Sequence, residues 1–92
     1  AATTLLPSPT ELDFSWDGGT LLLSWSVNSV NASTAVIERS NDMTNWTRFE
    51  QSAGDADFLD TGLEKDVVYY YRVYVKNTLI ESGSTFAAIV GA

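Results

Sequence analysis

Tyr70, Arg72 and Tyr74 occupy alternate positions in the run Tyr69-Tyr70-Tyr71-Arg72-Val73-Tyr74-Val75-Lys76. Alternation places all three on one face of an extended strand. Tyrosine and arginine are the residue types that carry binding energy at protein interfaces, and a tyrosine ring also stacks on a sugar. Glu38 and Val36 are expected on the neighbouring strand. Two readings of this row are open. It is a recognition surface, or it is a cross-strand lattice in which Arg72 pairs with Glu38 between flanking tyrosines. Trp46, with Phe49, is a second aromatic position, readable as a ligand platform or as filling along a sheet edge.

Other chemistries fit poorly. The acids Asp55, Asp57, Asp60, Glu64 and Asp66 crowd together, but not as a calcium loop: the sixth position from Asp55 is Asp60 where glycine is needed, and the twelfth is Asp66 rather than Glu. Asp60 is assigned instead to the turn before Gly62. The chain has no His and no Cys, which removes disulfides, thiolate nucleophiles, the usual zinc sites and every His-based triad. Paired carboxylates for glycoside hydrolysis need a cleft, and 12 acids offer pairs by chance. No cofactor or metal is expected. With 5 basic and 12 acidic residues the net charge is −7, which disfavours nucleic acid and anionic membranes. No apolar run approaches the ~20 residues of a spanning helix. Two tripeptides, Asn31-Ala32-Ser33 and Asn45-Trp46-Thr47, fit the glycosylation pattern.

The elements that must hold these residues read as strands. Leu12, Phe14 and Trp16 alternate with Glu11, Asp13, Ser15 and Asp17, giving one apolar face. Asp17-Gly18-Gly19-Thr20 is a tight turn, and Leu21 to Trp25 returns from it. Ala35–Arg39, Trp46–Glu50, Asp57–Asp60, Val67–Lys76 and Thr85–Val90 complete seven short strands, separated by loops rich in Asn, Ser, Gly and Asp. Helical periodicity is absent. Ninety-two residues suffice for one domain. The pattern predicts an all-β sandwich.

Leu21-x-Leu23-x-Trp25, Val36-Ile37-Glu38-Arg39-Ser40 and Asn45-Trp46-Thr47 resemble the B, C and C′ strands of a fibronectin type III domain. Asp60-Thr61-Gly62-Leu63, followed by Tyr69 through Asn77, looks like that family's E–F corner and F strand. The resemblance runs from about Pro7 to Val90, and the motifs are similar to bacterial modules of the family, especially those strung between domains of secreted carbohydrate-active enzymes and surface proteins. Two positions depart from it: Leu63-Glu64-Lys65-Asp66 replaces a common Pro-Gly corner, and Ala35 replaces an inward aromatic, leaving room assigned to Trp16 or Phe14.

The resemblance implies a seven-stranded immunoglobulin-like sandwich with sheets A-B-E and C′-C-F-G. The lead-in is residues 1–10, and the domain spans 7–92. Trp25, Leu23, Ile37, Leu63, Tyr69, Tyr71 and Val73 should form the core, with the Tyr69 hydroxyl reaching back to the corner backbone. The outward set is then Tyr70, Arg72, Tyr74 and Lys76. The implied role is a non-catalytic spacer or protein-interaction module of an extracellular or cell-surface protein. Its partners would be neighbouring domains of the same parent chain. A polysaccharide- or receptor-binding face on Tyr70, Arg72, Tyr74, Glu38 and Trp46 is the alternative, and a surface-filament subunit is a further one. The isolated domain is expected to be monomeric and kept soluble by its charge.

Overall fold

The computed structural model describes residues 8–28, 32–78 and 80–91. Seven strands follow in order: β1 (Thr10–Asp17), β2 (Thr20–Ser26), β3 (Thr34–Ser40), β4 (Thr47–Ser52), β5 (Asp57–Asp60), β6 (Val68–Lys76) and β7 (Thr85–Val90). They pair antiparallel in two sheets, β1-β2-β5 and β4-β3-β6-β7. This is the A-B-E and C′-C-F-G arrangement. No helix occurs among the described residues.

The β1–β2 hairpin turns on Gly18 and Gly19, whose φ angles are 58° and 89°. Positive φ at both central residues matches the right-handed twist of the flanking strands, and glycine reaches it without a Cβ clash. From that turn β2 sends Leu21, Leu23 and Trp25 inward, and β6 answers with Tyr69, Tyr71, Val73 and Val75. Ala35 and Ile37 complete the cluster from β3. Leu12, Phe14, Trp16 and Leu63 are partly buried against it, and the Phe14 ring lies 5.5 Å from that of Tyr71.

Pro9 is fully buried and Thr10 already opens β1, so the sandwich includes the end of the expected lead-in. Residues 1–7 and Asn31, the first glycosylation candidate, lie outside the described residues. The fourth strand begins at Thr47, one residue after the expected Trp46, because the preceding loop is wound on Asp42. That carboxylate accepts hydrogen bonds from the backbone N–H groups of Thr44 and Asn45, each 2.8 Å, and from Asn45 Nδ2. These bonds hold its pKa well below the usual carboxylate range, the backbone N–H groups of Asn45 and Thr44 contributing most.

At the other turn, the Tyr69 hydroxyl accepts a 2.8 Å hydrogen bond from the Glu64 backbone N–H. This is the tyrosine-corner geometry. Gly91, just past β7, is fastened to the same corner: its N–H donates to Val67 O at 2.7 Å, and Asp66 N–H donates to Gly91 O at 2.9 Å.

Candidate functional site

Strand pairing assembles one row across the outer face of the four-stranded sheet. Glu38 of β3 faces Arg48 of β4 on one side and Arg72 of β6 on the other, and Arg72 faces Phe86 of β7. Glu38 is only 5% exposed. A carboxylate this deep must be paired, and it is paired twice: Arg72 Nε donates to Oε1 at 2.7 Å and Arg48 Nε to Oε2 at 3.2 Å. Each guanidinium turns its Nε edge down to Glu38. The bond to Glu38 raises the Arg48 pKa above its ordinary value.

Aromatic rings frame the row. The Arg72 guanidinium carbon sits 3.9 Å from the centre of the Trp46 ring, a close cation–π contact. Tyr70 stacks on Phe86 with centroids 6.2 Å apart and planes 20° from parallel. Tyr74 faces Val36, which is fully buried although it is on the outer side of the sheet. Burial, and then the Glu38 charge, pushes the Tyr74 pKa up. Glu50 receives Lys76 Nζ at 3.0 Å, with Arg48 Nη1 3.9 Å away. A shallow depression beside the row is lined by Arg48, Arg72, Tyr74, Glu81 and the Ser82–Ser84 turn.

The structure therefore brings Tyr70, Arg72, Tyr74, Glu38 and Trp46 onto one face. The lattice reading describes its internal bonding: Arg72 and Glu38 pair as that reading has it. Glu38 differs from an exposed contact residue, since arginines from both neighbouring strands close over it. Arg48 and Phe86 belong to the face and escaped the sequence reading. The signal for both was register, because each is the residue opposite an already chosen one.

Asp60 corrects a sequence assignment. It does not serve the turn. Its carboxylate is 4% exposed and is held across the sandwich by Arg39 of β3 and by the Tyr71 hydroxyl of β6, the latter at 2.7 Å. Alternation alone explains the error: two residues beyond Phe58, Asp60 points inward at the end of β5, where a carboxylate needs partners. Burial, reinforced by Asp60, pushes the Tyr71 pKa far up, keeping it a neutral donor. Burial by itself would lower the Arg39 pKa, but the bond and charge of Asp60 outweigh it. One buried polar atom lacks a partner among the described residues, Trp25 Nε1.

Solved structures share this architecture. A computationally redesigned β-sandwich protein superposes with a TM-score of 0.83 at 16% identity, covering 95% of this chain and 96% of that one. A myokine structure gives 0.78 at 13%, covering 94% and 97%. An Fn3-like protein from Clostridium thermocellum gives 0.75 at 24%, covering 92% of each chain. No family model matches the sequence, and no curated protein matches it. At these identities the likeness is one of fold. The class so defined is an all-β, fibronectin type III-like sandwich.

Proposed function

We propose that this chain is a non-catalytic module of a larger extracellular or cell-surface protein, and that the outer face of β4-β3-β6-β7 docks a protein partner. The first candidates are neighbouring domains of the parent chain. The observation that carries this reading is the Arg48–Glu38–Arg72–Phe86 row with Trp46 and Tyr70 stacked onto it. Trp, Tyr and Arg are the residues that dominate interface energetics, and here they are held in place before any partner arrives. A neutral-sugar platform is less favoured. Sugars stack on open ring faces, whereas Trp46 gives a face to Arg72 and Tyr70 gives one to Phe86. A non-catalytic role fits the commitment of the two buried carboxylates, since Glu38 and Asp60 are already held in internal ion pairs.

The test is a titration of the ¹⁵N-labelled domain with the flanking domains of its parent and, separately, with a polysaccharide panel. Flanking domains should move the Trp46 indole, Tyr70, Arg72 and Phe86 signals. Tyr70→Ala and Phe86→Ala should weaken the effect while leaving the fold intact. Shifts with a polysaccharide alone would replace this reading by the sugar one. No shift on this face with the flanking domains would overturn it.

A further inference from the structure

Net charge predicts a monomer, but the charge is segregated by face. The strands of β1-β2-β5 contain no Lys or Arg. Their outward side carries Glu11, Asp13, Asp17 and Asp57, all exposed. Glu11 accepts a hydrogen bond from Ser26, and Asp13 and Asp57 have no cationic partner among the described residues. Three of the chain's five bases, Arg48, Arg72 and Lys76, are on the strands of the opposite sheet's outer face. There they face the carboxylates of Glu38, Glu50 and, beside the row, Glu81.

The two faces match in spacing. On the acidic sheet one row reads Asp13–Ser24–Asp57, the two carboxylates separated by a central strand. On the aromatic sheet one row reads Arg48–Glu38–Arg72, the two guanidiniums again separated by a central strand. Strand spacing sets both backbone separations at about 9.6 Å, two steps of ~4.8 Å, and the guanidiniums lean in from theirs toward the shared Glu38.

We infer that the docking face accepts a second copy of this chain, its Arg48/Arg72 pair receiving Asp13 and Asp57 of the next molecule's β1-β2-β5 sheet. The contact uses different faces on the two copies. It is heterologous, leaves one face free at each end, and so builds an open stack rather than a closed dimer. The net charge of −7 on each copy opposes the stack, which makes it a high-concentration event. The inference rests on the docking-face reading above. Flanking domains can bind the face whether or not copies do, so the two tests fail separately.

The experiment is sedimentation velocity on the full chain at neutral pH and physiological salt over a wide concentration range. The weight-average mass should climb past two copies, and Asp13→Lys with Asp57→Lys should return it to one. That exchange moves the net charge from −7 to −3, two units per substitution, which by itself favours non-specific association. Its loss of stacking therefore has the opposite sign to a colloidal effect. Asp13→Ser with Asp57→Ser, a milder pair, should also lose it, and unchanged melting temperatures confirm the fold. Glu64→Lys, exposed at the corner between β5 and β6 and off both sheet faces, should associate like the parent. A parent chain that stays monomeric throughout, an aspartate variant that still stacks, or loss of stacking on Glu64→Lys alone would each overturn the inference.

Discussion

Asp60→Asn tests the buried clasp between the two sheets. The exchange keeps the size of the side chain and removes its charge. Arg39 then loses its partner with its side chain only 23% exposed, and the Tyr71 hydroxyl loses a charged acceptor. Removing one member of a buried ion pair costs about 3–5 kcal/mol, most of it the penalty of the stranded charge. Water reaches part of the Arg39 guanidinium, which places this case near the lower end, at about 3 kcal/mol. A domain of this length has roughly 5–14 kcal/mol of stability in all, from about 0.05–0.15 kcal/mol per residue. The melting temperature should therefore fall by roughly 12–24 °C, using about 4–8 °C per kcal/mol for a domain of this size. The assay is urea unfolding followed by tryptophan fluorescence, with a thermal melt beside it. Arg39→Met, Asp60→Leu and Tyr71→Phe combined should recover most of the loss, because apolar replacement of a whole buried group is about neutral. A loss for Asp60→Asn within ~0.5 kcal/mol, the range of ordinary surface changes, would refute the clasp.

Four further outcomes are expected. Tyr71 has a folded pKa far above its unfolded value near 10, so its contribution is full below about pH 10 and declines above it, by about 1.4 kcal/mol per pH unit; alkaline urea melts should show this slope, and Tyr71→Phe should flatten it. Asp42 has a folded pKa below its unfolded value near 4, so the loop it organises should loosen as pH falls from about 4 downward; the Thr44 and Asn45 amide resonances report this, and Asp42→Ala should remove the pH dependence. Gly91→Ala would drive a Cβ onto the Glu64 carbonyl, so it should destabilise by about 1–3 kcal/mol in the same melts. Met43 is 52% exposed at φ 61°, a left-handed position that Asn tolerates better, so Met43→Asn should raise stability by a few tenths to about 1 kcal/mol.

Period-two alternation was enough to place Tyr70, Arg72 and Tyr74 on one face and Trp25, Tyr69 and Tyr71 inside. The reason is local, since successive side chains of a strand point to opposite sides whatever it pairs with. The Gly18-Gly19 turn and the corner at Leu63 were legible for the same kind of reason. What surrounds a face was not legible. Arg48 reached Glu38 only through the β3–β4 register, and Phe86 reached Tyr70 only through the β6–β7 pairing. Asp60 was misread because its turn-like neighbours hid the fact that Arg39 and Tyr71 converge on it from the other sheet.

The chain's own order of residues decided the class of fold, the inward set and the chemistries removed by the absence of His and Cys. These depend on composition and on the two-residue period, both readable one strand at a time. The tertiary structure alone decided that Glu38 is shared by two arginines, that Trp46 carries Arg72, and that Asp60 clasps the two sheets. It also decided that the charge is divided between opposite faces. Each of these needs residues far apart in sequence to meet. Only strand register and the way one sheet lies on the other bring such residues within hydrogen-bond reach.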